Sequence, residues 1–144
     1  MCFCFFSKKK KLMNCDQTIN FFDFNNYNTY CKVVYVYDGD SVHIVMYHPD
    51  TKKLIKVKCR LYGIDTPELR VAHQKEKGYK AKERFISLLK ETQYMVNVEC
   101  KHFDKYGRVL IVLYSEKYEK SLNQILVDEG HALAYFGKKK KEFT

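Results

Sequence analysis

Carboxylates and arginines are concentrated in three short stretches of this 144-residue sequence. Together these side chains could bind a metal cation and a phosphate group. The stretches are Asp38–Ser41, Arg60–Glu68 and Asp104–Arg108. Asp40 and Asp65 offer hard carboxylate oxygens, and extended geometry before Pro67 frees the Thr66 carbonyl to join them. Such oxygens suit Ca²⁺ or Mg²⁺ and not zinc. We therefore predict a hard-cation site formed by Asp40, Asp65 and Thr66.

Arg60, Arg108 and Glu68 complete the chemistry of phosphodiester hydrolysis. Negative charge accumulates on the nonbridging oxygens as water attacks phosphorus, and a cation with two arginines can stabilise that charge. Arg60 alternates with Cys59 and Leu61, so it faces away from the core on the side of the carboxylates. Glu68 is then left to take a proton from the water or to orient it.

Each stretch alone has an ordinary structural interpretation. Asp38-Gly39 could be a hairpin turn in which Gly39 takes a positive φ. The stretch Asp65–Glu68 could begin a helix, with Asp65 or Thr66 as its cap. A further turn would explain Asp104–Arg108 equally well.

The elements between these stretches predict a small barrel. Alternating apolar residues predict two strands around Asp38-Gly39 and a third over residues 55–61. Helical spacing follows over Gln74–Glu91, and a second hairpin flanks the turn Asp104–Gly107. Ser121 and Gln124 form a capping box that begins a short helix ending at Gly130. The order βββ-α-ββ-α is that of a five-stranded OB-fold barrel, an α+β and mainly β architecture.

Composition and charge narrow the possible partners. Lys and Arg exceed Asp and Glu by nine, but the runs Lys8–Lys11 and Lys138–Lys141 hold eight of those positive charges. A basic chain suggests nucleic acid or an acidic membrane surface, so any groove in the body must rely on a few placed cations. No apolar run approaches the roughly 18 residues that a membrane-spanning helix needs.

The first 29 residues have no clean period and are predicted to be a poorly ordered N-terminal extension, followed by one domain over residues 30–144. The lysines follow the short apolar start, which argues against a secretory signal, so we expect an intracellular protein with reduced cysteines. Cys2 and Cys4 beside the lysine run could carry acyl chains and attach the protein peripherally to a membrane. A frayed terminus is the alternative. They are also the only close cysteine pair, too little for a zinc site.

The three stretches, in this order and at this spacing, resemble the staphylococcal nuclease (thermonuclease) family over about residues 30–136. The resemblance implies that Asp40, Asp65 and the Thr66 carbonyl bind Ca²⁺. It also implies that Glu68 handles the attacking water, and that Arg60 and Arg108 stabilise the phosphate.

By the same resemblance, Tyr106 and Tyr135 would contact the nucleotide. The implied reaction is hydrolysis of single-stranded or unwound DNA, and of RNA, at the 5′ P–O bond to leave 3′ phosphates. The sequence departs from the family in Ser41, where Thr is usual, and in ending soon after Gly137 without the family's final helix. Compact endings of this kind resemble nucleases of large DNA viruses and phages, and we expect a monomer.

A noncatalytic OB-fold module that binds nucleic acid is the competing interpretation. Such a module has no need for Glu68 beside two aspartates and two arginines, because extra carboxylates would repel phosphate.

Overall fold

The computed structural model describes residues 2–137 and residue 143, with the side chains of residues 2 and 3 left aside. Lys138–Lys141 and the side chain of Cys2 therefore lie outside the described part. The helices are α1 (Cys2–Met13), α2 (Lys75–Lys90) and α3 (Leu122–Asp128). The strands are β1 (Asn28–Val36), β2 (Ser41–Tyr47), β3 (Leu54–Leu61), β4 (Ile64–Asp65), β5 (Met95–Phe103), β6 (Val109–Tyr114) and β7 (Leu133–Ala134).

Five strands close into a barrel in the order β1-β2-β3-β6-β5, which confirms the predicted mainly β, OB-type architecture. Neighbouring strands are antiparallel except β3 and β6, which pair in parallel. The short strands β4 and β7 form a separate two-stranded ribbon, which the sequence pattern did not predict. Two-residue strands carry no readable alternation, so only the fold reveals them.

Alternation explains where the core lies. Inward residues of β2, such as Ile44 and Met46, are buried, while His43 and Val45, which alternate with them, are partly exposed. The same pattern in β5 and β6 adds further apolar side chains, and α2 and α3 cover the barrel with Phe85, Leu88 and Leu126 among others. Ser121 caps α3 by accepting a hydrogen bond from the Gln124 N–H at 3.1 Å, as its sequence predicted.

The parallel contact of β3 with β6 is a short seam of three residue pairs, Cys59 to Leu61 against Val109 to Ile111. Asn123 at the start of α3 bridges it, with its side chain almost fully buried. Its Oδ1 accepts from the Leu113 N–H at 3.1 Å, and its Nδ2 donates to the carbonyls of Tyr62 at 2.9 Å and Ile111 at 3.0 Å. One amide thus joins α3 to β6 and to the residue just after β3.

The N-terminal part differs in two respects from the sequence-based picture. Residues with no apparent period form helix α1, whose side chains from Cys4 onward are exposed. The helix lacks an apolar stripe against the barrel, which is why its period was not visible. Phe24 is buried in the core and β1 begins at Asn28, so the predicted boundary at residue 30 falls inside a strand. The proposed acyl attachment through Cys2 and Cys4 stays a prediction.

Among the described residues, we find no helix with the length and apolar character that crossing a membrane requires.

Candidate active site

The three carboxylate and arginine stretches meet at one cleft of about 400 Å³. The β1–β2 turn brings Asp40, the end of β3 brings Arg60, and β4 with the loop after it brings Asp65 to Glu68. Arg108 arrives from the β5–β6 turn. All six residues predicted to bind metal or to act on the phosphate line this cleft: Asp40, Arg60, Asp65, Thr66, Glu68 and Arg108.

Arg60 lies between the two aspartates. Its Nη1 donates to Asp40 Oδ1 at 3.2 Å, and its Nη2 donates to Asp65 Oδ1 at 2.7 Å and to the Ile64 carbonyl at 3.3 Å. Both carboxylates are buried. Burial lowers the pKa of Arg60, but Asp40 and Asp65 outweigh this and raise it, so the guanidinium stays charged.

Asp40 is held from several sides. Its Oδ1 also accepts from the Ser41 hydroxyl at 3.0 Å, and its Oδ2 accepts from the Thr66 N–H at 3.0 Å. Burial nevertheless raises the pKa of Asp40 to about 6, against the opposing effects of Arg60 and these hydrogen bonds. The buried negative charge is therefore only partly compensated, and additional positive charge beside it would be stabilising.

Gly39 allows the first turn to pack closely over the site, but not for the reason predicted from the sequence. Its φ is not among the positive values, so the expected left-handed conformation is wrong. A Cβ at this position would lie 2.8 Å from Thr66 Cγ2 and 3.0 Å from Ala81 Cβ. Glycine is required here because the turn contacts the Thr66 segment and α2 at once.

Arg108 is fixed by the turn that carries it. Asp104 Oδ1 accepts from the backbone N–H groups of Tyr106 at 2.8 Å and Arg108 at 2.9 Å, and its Oδ2 accepts from Arg108 Nε at 2.7 Å. Burial alone would raise the pKa of Asp104, but these bonds outweigh it and lower the pKa. The far end of the guanidinium donates to Ser41 Oγ at 3.3 Å, which joins the third stretch to the first.

Glu68 is exposed at the rim of the cleft. Its backbone N–H donates to Gln74 Oε1 at 3.0 Å, one residue before α2 begins. Helix α2 starts only at Lys75, so neither Asp65 nor Thr66 caps it, and the alternative role for that stretch is wrong.

A second cleft of about 710 Å³ adjoins the first, and Arg60, Glu68 and Arg108 line both. The two tyrosines predicted from the resemblance, Tyr106 and Tyr135, line this second cleft. Tyr106 is 72% exposed, and the Arg108 guanidinium lies 5.5 Å from the centre of its ring. The Tyr135 N–H donates to the Gly63 carbonyl at 2.8 Å.

Sequence reasoning missed several residues that line the clefts. His43, Lys58, Arg70 and Tyr37 line the first cleft, and Phe136 lines the second. Lys58 could have been found from alternation, because it lies two residues before Arg60, whereas only the register that pairs it with His43 of β2 reveals His43.

The donor set fits a hard cation. Asp40 and Asp65 provide carboxylate oxygens next to the Thr66 main chain, and both carboxylates also accept hydrogen bonds from the Arg60 guanidinium. Cys59 also lines the cleft, but burial raises its pKa, so the thiol stays neutral and a poor ligand. Over the described part of the chain, no cluster of three or more His, Cys, Asp or Glu side chains suited to a metal is present.

In a comparison with protein-family models, residues 58–144 match the family described as staphylococcal nuclease homologue. The match includes Arg60–Glu68 and Asp104–Arg108, whereas Asp38–Ser41 lies before it. A comparison with curated proteins gave no match.

Proposed function

The chain belongs to the staphylococcal nuclease homologue family, and we propose that it is a Ca²⁺-dependent nuclease that hydrolyses phosphodiester bonds of DNA and RNA. The observation that carries this proposal is the shared wall of the two clefts. Arg60, Glu68 and Arg108 line both clefts, and we infer that a substrate strand passing from one cleft to the other has its scissile phosphate beside them. Two guanidinium groups and one carboxylate at a single phosphate are the groups that hydrolysis needs.

Arg60 and Arg108 stabilise the charge that develops on phosphorus oxygens. Both are held before substrate arrives, Arg60 by the two aspartates and Arg108 by Asp104. Groups that are already oriented need no reorganisation in the transition state, which is where such stabilisation acts most strongly. The salt bridges of Arg60 hold its guanidinium at a position that lines both clefts.

Glu68 is placed to work on water. It lies at the rim of both clefts and is exposed, so solvent can reach it beside the bound phosphate. We assign it to accept a proton from the attacking water or to orient that water. Breaking the 5′ P–O bond then leaves a 3′ phosphate on the product.

Asp40, Asp65 and the carbonyl of Thr66 would hold Ca²⁺. When bound, this ion supplies positive charge that polarises the phosphoryl oxygen. The pocket's partly compensated negative charge and its hard oxygen donors support this assignment.

The test is digestion of labelled single-stranded and duplex DNA and RNA with added Ca²⁺, with end-group analysis of the products. We expect cleavage that stops with chelator and products with 3′ phosphates. Cleavage that persists without divalent metal would contradict the assigned ligands. Binding of nucleic acid without any cleavage would instead favour the noncatalytic module.

A matched pair of variants tests Glu68. We expect Glu68→Gln to lower kcat by about 10²–10³, on the scale of losing one transition-state contact, while binding of single-stranded DNA survives. Glu83→Gln, an exposed position on α2, is the control and should leave the rate unchanged. Equal losses of binding and rate in Glu68→Gln would indicate general disruption of the cleft.

A further inference from the structure

A row of cations leads away from the proposed reaction centre along β3. Arg60, Lys58 and Lys56 occupy every second position of this strand, so their side chains share the outer face about 7 Å apart. Lys58 and Lys56 are exposed, and within the described chain neither takes part in an ion pair. Lys58 lines the first cleft. The row therefore begins at Arg60 and continues onto open surface.

Rings lie beside this row on the neighbouring strands. In register, His43 of β2 is opposite Lys58 on one side and Tyr35 of β1 on the other. The ring centres of Tyr35 and His43 are 5.1 Å apart at an angle of 41°, and Tyr35 is half exposed. A base can stack on such a pair while its phosphates contact the lysines, the combination that holds single strands without sequence preference.

The two clefts place this surface opposite the tyrosines already described. Tyr106 and Tyr135 line the second cleft, whereas His43 and Lys58 line the first, with Arg60 and Arg108 on the wall between them. A strand whose scissile phosphate lies at that wall must continue in both directions. One direction enters the second cleft, and the other leaves past Lys58 and His43.

We propose that Lys56, Lys58, His43 and Tyr35 form a second binding surface for the nucleic-acid strand, which we call the outer lane. It takes the nucleotides on the far side of the scissile linkage from Tyr106 and Tyr135. Its ligand is single-stranded DNA or RNA, bound through phosphates and one stacked base. The placement of the outer lane on one side of the scissile linkage rests on the proposed nuclease function. Binding of single-stranded nucleic acid by these residues can be tested independently of cleavage.

The charge balance explains why two lysines matter. The chain outside the two lysine runs is nearly neutral, so general positive charge cannot hold a strand on the barrel. Each single-strand phosphate neutralised by a lysine contributes about 0.7 to the slope of log affinity against log salt. Loss of both outer-lane lysines should therefore be visible as a change in that slope.

The first measurement is binding of a fluorescent single strand of about 16 nucleotides, the upper site size of one OB fold, over a salt series without divalent metal. For Lys56→Ala with Lys58→Ala, we expect the slope to become less steep by about 1.4. The control carries Lys90→Ala with Lys117→Ala, two exposed lysines that line neither cleft and remove the same charge. An equal change in both double variants would overturn the outer lane.

The second measurement compares cleavage of that single strand with cleavage of a dinucleotide, which is too short to reach the lane. For Tyr35→Ala, we expect the ratio of kcat/KM for long over short substrate to fall about fivefold or more, the loss of one stacked base. Tyr79→Ala, an exposed tyrosine on α2, should keep the ratio of the unmodified protein. An unchanged ratio in Tyr35→Ala would refute the stacking role.

The two measurements distinguish failure of the nuclease proposal from failure of the outer-lane proposal. If the unmodified protein cleaves no substrate, the nuclease proposal fails, and the salt slopes still decide whether the outer lane binds a strand. If cleavage occurs but slopes and ratios match the controls, the outer lane is refuted while the nuclease proposal stands.

Discussion

Asn123 offers the most direct test of how the barrel positions the site. This buried amide bridges β6 and the residues just after β3, through the Leu113 N–H and the carbonyls of Tyr62 and Ile111. Tyr62 immediately precedes the Gly63 turn that leads into Asp65. The substitution Asn123→Ala removes all three hydrogen bonds and adds no new group.

The expected loss of stability follows from the backbone groups that lose their hydrogen-bond partner. Ile111 keeps a partner, because its carbonyl also accepts from the Tyr62 N–H at 2.7 Å. The Leu113 N–H and the Tyr62 carbonyl each lose the partner that Asn123 supplied. Leaving a buried polar group unsatisfied costs about 1–3 kcal/mol; because the Tyr62 contact is only partly buried, the Leu113 N–H sets the loss, and the free energy of unfolding should fall by about 1–3 kcal/mol. That is a measurable part of the roughly 5–15 kcal/mol of a typical domain.

The assay is urea unfolding followed by circular dichroism. We expect a lower midpoint with an unchanged m-value, since the surface exposed on unfolding stays the same. Asn97→Ala is the control, at a partly exposed position of β5, and should stay within about 0.5 kcal/mol of the unmodified protein. A loss below about 1 kcal/mol in Asn123→Ala would refute the bridging role.

Two further predictions concern Arg108 and the N-terminal lysines. The substitution Asp104→Asn keeps an acceptor oxygen for the backbone N–H groups but removes the negative charge beside Arg108 Nε. We expect kcat on single-stranded DNA to be about tenfold lower, with KM unchanged. Because the folded pKa of Asp104 is lowered, its stabilising contribution is present above its unfolded pKa of about 3.9 and is lost as pH falls through the folded value. Acid titration of unfolding should therefore show unmodified protein and Asp104→Asn converging at low pH, and a constant difference would contradict this. Deletion of residues 1–11 should leave turnover intact and weaken the salt dependence of DNA binding, because Lys8–Lys11 lie on exposed α1; an unchanged salt slope would remove that role.

Local patterns in the sequence were sufficient to predict the barrel, and they singled out residues that the fold brings into one cleft. Alternation predicted the five strands, and the Ser121 box and Gly130 bounded α3, where Gly130 has a φ of +79°. These signals work because side-chain period and capping are set by near neighbours. Asp40, Asp65 and Arg60 were chosen by residue type, and the structure brings them into one cleft.

Contacts between distant segments could not be predicted in the same way. The space that demands glycine at position 39 is created by Thr66 and Ala81, which no local pattern places there. The sharing of Arg60 by two aspartates, the bridge made by Asn123 and the burial of Phe24 likewise depend on neighbours far along the chain. The outer lane became visible only once the register of β1, β2 and β3 was known.

The short seam between β3 and β6 has a consequence for how the proposed nuclease activity would respond to warming. Only three residue pairs join these strands in parallel; Arg60 belongs to the middle pair, and Arg108 comes just before β6. The hairpins on either side of the seam have longer pairings, seven pairs for β2 with β3 and five for β5 with β6. Local opening of a folded domain starts where few contacts hold it. The proposed cleavage should therefore fade while most of the sheet remains intact, and return on cooling without refolding of the whole chain.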